Sequence, residues 1–322
     1  MKKLLPSLLF CLIFHSPFAQ KLMNWSSFKW GHDTVILDGK KGYVPRSAIF
    51  LPIIFNNDPR HYYLQLDLGS DAKILLYSLP ANVDKSKVCS KPAITNNAVN
   101  CYRVNDTLKG KFGNLPFTAD SSTYMLMRNK NDTGTNYTIA MGNSPIIGTI
   151  GLNYFKGKKL MLDFPRQQFT FATDATVLPF TYRDSADYVR LHISNNRIFV
   201  PVTIGDTTYN TLFYDCGSSI FDLLISKKIW QKITGRNGDE KDNIHLSLTS
   251  WGTNTEAIGA HMKDKVKIGR YTYDAPLIFY SPAYADFKAT FGCDGLFSNT
   301  SFYSKTILID LIHNRLGILN EM

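Results

Sequence analysis

Short apolar runs broken by Gly, Asn, Asp and Pro recur along this chain, and few of them keep helical spacing. Runs such as Ile49-Phe50-Leu51-Pro52-Ile53 and Ile307-Leu308-Ile309 have strand length and favour branched and aromatic residues, which fit a pleated, packed surface. Helical periodicity is confined to two short stretches, Ser226 to Ile233 and Asn153 to Gly157. The pattern predicts an all-β protein.

The pattern also repeats. Ile49-Phe50-Leu51-Pro52-Ile53 returns as Ile198-Phe199-Val200-Pro201-Val202, 149 positions later. Asp67-Leu68-Gly69-Ser70 returns as Asp215-Cys216-Gly217-Ser218 after 148 positions, and Phe155, Leu162, Asp163 and Phe169 return as Phe302, Ile309, Asp310 and Leu316 after 147. Lys111-Phe112-Gly113 has a looser echo in Lys267-Ile268-Gly269. Order and near-constant spacing imply two homologous lobes, each the size of one domain. The seam falls near Thr173 to Tyr188, where Pro179 and Arg183-Asp184-Ser185 interrupt the strand pattern. The chain accordingly divides into residues 1–19, 20–178 and 179–322. Asp163 and Asp310 are expected to face solvent from a terminal strand.

The first segment changes the compartment. Lys2 and Lys3, an apolar stretch from Leu4 to Phe14 and Ser16-Pro17-Phe18-Ala19 form a signal peptide with cleavage expected near Ala19. That stretch is too short to span a bilayer, and Ala48 to Phe55, the longest later one, is shorter. A secreted or periplasmic protein without a membrane span is expected. Of the 322 residues, 44% are apolar and 19% charged, which excludes disordered, collagen-like and coiled-coil classes. Cleavage removes two Lys and no acid, lowering the formal charge from +10 to +8. The lysines are scattered, and their densest cluster, Lys156-Gly157-Lys158-Lys159, is short, so a solvated basic surface is expected and nucleic acid is not a partner. Cys89, Cys101, Cys216 and Cys293 remain, without Cys-x-x-Cys spacing; an even count in an oxidising compartment suggests disulfides rather than a metal site. Cys89 and Cys101 flank a polar stretch that reads as a hairpin loop, and a bridge between them is expected.

The repeated Asp-x-Gly-Ser turn is the candidate chemistry. Tyr63-Leu64-Gln65-Leu66 leads into Asp67 and Thr211-Leu212-Phe213-Tyr214 into Asp215, and apolar residues follow both turns. A carboxylate between buried strands is costly unless it is hydrogen-bonded or used, and the Gly permits a tight turn whose amides face it. Asp132-Thr133-Gly134-Thr135 has a similar string but only polar neighbours, and reads as a surface loop. No Gly-x-Ser-x-Gly, His-Glu-x-x-His or phosphate-binding glycine pattern occurs, so no cofactor or metal is expected.

On these residues the chain resembles the pepsin-like aspartic proteases, in a bilobal, secreted, bacterial-type form whose lobes are each similar to a retropepsin-type monomer. The likeness includes an apolar-apolar-Gly segment in each lobe, Gly148 to Phe155 followed by Leu160 to Phe164, and Asp294 to Ser298 followed by Ile307 to Leu311. It implies two β-barrel lobes with the active-site cleft between them, and a catalytic dyad of Asp67 and Asp215. The dyad shares a proton and activates a water that attacks a peptide bond. Gly69, Ser70, Gly217 and Ser218 support it, and the Ser hydroxyls are expected to bond the carboxylates. The family's Thr after each Asp is replaced by Leu68, which cannot hydrogen-bond, and Cys216, a weak donor. Ser298 replaces a Gly. Tyr102 and Trp251 are the aromatic candidates for the hairpin covering the substrate. The architecture also brings Cys293 near the second turn, suggesting a Cys216–Cys293 bridge. A monomeric peptidase acting on peptide or protein substrates follows; the alternative is an inactive pseudo-protease that binds peptides or glycans.

Overall fold

The computed structural model describes residues 24–70, 73–95, 99–120, 122–129, 139–141, 143–173, 186–250, 253–274 and 277–319. The expected leader, the Asp132-Thr133-Gly134-Thr135 string, Trp251 and most of the seam lie outside the described residues. The fold is all-β and two-lobed, as the sequence pattern implies.

Each lobe is built on one large sheet, and the two sheets have the same strand order. Across the first run Leu115–Ala119, Leu108–Phe112, Ile49–Phe55, His61–Asp67, Ser144–Gly151, Ile74–Leu76, Tyr124–Asn129, Val99–Arg103 and Ile94–Thr95. Across the second run their counterparts Tyr271–Tyr273, Val266–Ile268, Arg197–Ile204, Thr207–Tyr214, Gly295–Phe297, Leu223–Ile225, Leu277–Tyr280, Thr253–His261 and Ile244–Ser250. Ile49, Leu51, Ile53 and Phe55 point into the first-lobe core, while Phe50 packs with Tyr63 and Ile146 on the opposite face. The second face is covered at Phe50 but opens toward Ile54, which is exposed, so the apolar run is continuous although only one face is buried throughout.

A third sheet joins the lobes in the order Ser26–Ser27, Gln168–Ala172, Lys159–Asp163, Thr306–Asp310, Arg315–Leu319 and Ala186–Arg190. Met161 pairs with Leu308, its own counterpart in the repeat. The pseudo-twofold axis therefore passes through that pair.

Several expectations are corrected here. Asp163 and Asp310 do not face solvent: they are 2% and 0% exposed. Each caps the turn that closes its hairpin, Asp163 accepting from the Arg166 amide at 3.0 Å and Asp310 from the His313 amide at 3.0 Å. Arg166 and Arg315 pair with the remaining oxygens, which compensates the burial. All four cysteines from 89 onward are free. Cys89 lies across from Arg103, whose carbonyl accepts its amide at 2.9 Å, so Cys101 is displaced by two residues along the ladder. Diagonal neighbours at that offset stand beyond the reach of a disulfide. Cys216 belongs to the core cluster continuous with the first lobe and Cys293 to a separate second-lobe cluster, so their sulfurs are not joined.

The helix Lys227–Thr234 coincides with the expected one, and Leu152–Phe155 lies within a residue or two of the other. The hairpin Asp33–Leu37 with Lys40–Val44 was not expected where it lies. It leaves the first half of the chain and extends the second-lobe sheet, pairing Leu37 with Leu246.

Candidate active site

The site begins with two parallel strand pairs. His61–Asp67 runs beside Ser144–Gly151, placing Asp67 against Gly151, and Thr207–Tyr214 runs beside Gly295–Phe297, with the Asp215 amide donating to the Phe297 carbonyl at 3.0 Å. At each strand end the chain turns sharply. The Gly69 amide donates to Asp67 Oδ1 at 2.9 Å and the Gly217 amide to Asp215 Oδ1 at 2.9 Å. Glycine is required for a second reason. A Cβ on Gly217 would stand 2.5 Å from Asp67 Cγ, and one on Gly69 would stand 3.0 Å from Asp215 Oδ1 and 3.2 Å from Asp67 Oδ1. Each glycine thus faces the carboxyl of the other lobe, which brings the two carboxyls close to one another.

Two carboxyls held this close cannot both ionise easily, so one of them tends to keep a proton. Burial, then the charge of Asp215, pushes the Asp67 carboxyl up to about 8. Burial also raises Asp215, to about 6, against the opposing pull of the Gly217 amide and the Arg197 guanidinium. The pair titrates as a unit, and the two values belong to it jointly. Arg197 was not singled out from the sequence. Phe199 pairs with Phe213, so Arg197 falls across from Asp215, whereas the corresponding position beside Asp67 is Ala48. The lobes therefore present unequal fields to otherwise equivalent carboxyls.

Cys216 spans the two turns. Its Sγ accepts the Leu68 amide at 3.2 Å and donates to the Leu66 carbonyl, 3.6 Å away. Burial pushes the thiol well above its ordinary range, which keeps it protonated and able to donate. Gln65 adds a second cross-lobe tie, donating to the Gly217 carbonyl at 3.0 Å. Leu68 makes no reciprocal bond; it is fully buried in the core. Replacing Cys216 by Ala should cost about 1–3 kcal/mol by leaving a buried amide unsatisfied. Cys216→Thr, which supplies both a donor and an acceptor, should recover most of it; chemical denaturation of the two variants measures the difference. Leu68→Thr should destabilise, because it trades buried methyl groups for a hydroxyl inside a packed core.

The Ser70 amide donates to the Asp67 main-chain carbonyl at 3.1 Å, and no Ser70 or Ser218 hydroxyl bond to either carboxyl is among the described hydrogen bonds. Ser298, the departure from the expected Gly, is fully buried, and its hydroxyl donates to the Phe221 carbonyl. Behind the second turn the Asn299 amide donates to the Cys216 carbonyl at 2.9 Å and to Ser219 Oγ at 2.7 Å, and Tyr214 donates to Asn299 Oδ1 at 2.6 Å. Sequence reasoning missed this network, because Asn299 is 83 residues from Cys216. Tyr102 lies on Val99–Arg103 with the Arg128 guanidinium 5.4 Å from its ring centroid. Among the described residues no group of three His, Cys, Asp or Glu could hold a metal ion, and no helix is long and apolar enough to cross a membrane.

No protein-family model and no curated protein matches this chain. Among solved structures it is similar to the aspartic proteinase from Irpex lacteus, at 13% identity over 90% of this chain and 97% of that one, with a TM-score of 0.49. It is also similar to Basic 7S globulin from soybean, at 10% identity over 93% of this chain and 97% of that one, with a TM-score of 0.48. The fold is all-β and two-lobed. Likeness this remote carries no inference about chemistry, which rests on the side chains above.

Proposed function

We propose that the chain is a secreted aspartic endopeptidase. The observation that carries the reading is the close approach of Asp67 and Asp215, brought together by two equivalent turns. With one proton on the pair, the ionised carboxyl takes a proton from a water lying between them, and the protonated carboxyl donates to the substrate's carbonyl oxygen. The water oxygen bonds to the carbonyl carbon. Collapse of that tetrahedral species, with proton transfer to the amide nitrogen, breaks the C–N bond and leaves the pair ready to share a proton again. Burial helps, because a desolvated pair holds its shared proton into the neutral range.

The missing cross-lobe bond at Leu68 favours a second reading, a peptide- or glycan-binding protein with a silent dyad. The experiment is hydrolysis of an unfolded protein between about pH 3 and 9, with and without pepstatin, followed by mapping of the products. Pepstatin-sensitive cleavage establishes the peptidase. Retention of peptide or glycan without any cleavage establishes the binding protein.

A further inference from the structure

The first lobe contains a pocket of about 820 Å³ lined by Lys73, Arg103, Lys156 and Lys158, with no Asp or Glu among its described lining residues. The short basic cluster that reads as a solvated surface thus contributes two cations to a concave wall. The other charges come from separate parts of the lobe: Lys73 follows the first catalytic turn, and Arg103 follows Tyr102 on the hairpin strand. Lys158 is only partly exposed. Its ammonium lies 4.2 Å over the Tyr154 ring and donates to the Tyr154 carbonyl. Burial, and then the like charge of Lys73, pushes it below its ordinary value. Lys156 donates to Asn196 Oδ1 at 2.9 Å. A nearby acid is Asp120, which accepts from the Ser122 and Thr123 hydroxyls and is lowered by those bonds and, in part, by Lys73. Among the described residues the four lining cations outnumber this carboxylate, which leaves an excess of positive charge. Met125 and Ile94 give the pocket apolar wall as well, which suits a side chain with methylenes below its charge.

The pocket is tied to the catalytic turn by the backbone. The Lys73 carbonyl accepts the Gly151 amide at 2.9 Å, and Gly151 is the strand partner of Asp67. The helix Leu152–Phe155, which carries Tyr154, starts at the next residue. From this placement we propose that the pocket is a substrate subsite of the cleft and takes an acidic side chain, Glu or Asp, of a bound peptide. The inference rests on the peptidase reading for its substrate, but its charge preference can be tested without catalysis.

The test is fluorescence anisotropy with the full chain carrying Asp215→Asn, titrated into two labelled peptides that differ only in Glu against Gln. The Glu peptide should bind about tenfold tighter at low salt, from a few exposed charge pairs. Added salt should shrink the difference. Lys73→Gln, Arg103→Gln and Lys156→Gln together should remove it, with thermal unfolding to show that the triple variant is folded. Equal binding of the two peptides, or a preference that survives the triple variant, overturns the subsite. A sulfated oligosaccharide that binds the same pocket more tightly than the Glu peptide overturns the assignment to a peptide side chain. Hydrolysis of both peptides by the wild-type chain with equal kcat/KM, without charge-dependent binding, removes the subsite and leaves the peptidase. Charge-dependent binding without any hydrolysis removes the peptidase and supports the acid-binding pocket.

Discussion

Asp67→Asn and Asp215→Asn should each lower peptide hydrolysis by about 10²- to 10⁴-fold or more, while both variants fold. Asn keeps the size of the carboxyl and can still accept the Gly69 or Gly217 amide, but it cannot share or transfer the proton. The same variants should differ from wild type in stability, and the sign is fixed by the direction of the shifts. Both carboxyls are raised in the folded chain, chiefly by burial. Folding therefore favours the protonated pair, and the stability this contributes is present below the unfolded carboxyl values. It is lost as pH climbs through about 6 and about 8. Asp67→Asn removes the cost of ionising a buried acid, so its Tm should exceed that of wild type at mildly alkaline pH and the gap should close on acidification. Unfolding scans at several pH values test this. Equal Tm values throughout would show that the pair is well solvated, and full activity in either variant would remove that residue from catalysis.

The second large effect is on the pH profile. The productive form carries one proton on the pair, so kcat/KM should be bell-shaped with limbs near the two values held jointly by the dyad, about 6 and about 8. Hydrolysis should be fastest near neutrality and should fall in strong acid, where the pair holds two protons. Arg197 adjusts the acid limb. Its charge lowers Asp215, so Arg197→Met should move that limb upward and narrow the bell, whereas Arg197→Lys should keep it close to wild type. Initial rates measured across about pH 3 to 9 decide it; a maximum at strongly acidic pH would show that burial does not govern this dyad.

Apolar runs and their repetition at a spacing of 147 to 149 residues made the architecture legible without coordinates. Strand length, turn residues and the surroundings of each Asp-x-Gly-Ser are local properties, written in a few neighbouring residues. They singled out the turns at Asp67 and Asp215, which the fold brings face to face, and the looser echo at Gly113 and Gly269 falls on two hairpin turns where the backbone takes positive φ. Apart from the pairing of Asp67 with Asp215, which the repeat and the family resemblance suggest, what lay beyond the sequence was which distant residue stands opposite which. Cys89 and Cys101 looked like loop ends, yet a ladder offset of two residues separates them. Cys216 read as a weakened Thr, yet its thiol reaches the Leu66 carbonyl and Leu68 amide across the lobe boundary. Asp163 and Asp310 read as surface residues because their bonds to arginine and to the turn amides form only once the hairpins close. Arg197 gains its role from register alone, since nothing in its immediate neighbours mentions Asp215. The chain by itself determined the two lobes and the two carboxyl-bearing turns, because period and turn chemistry are short-range. Burial, partner identity and proton affinity were decided by the tertiary structure, because each depends on groups brought together from different parts of the chain.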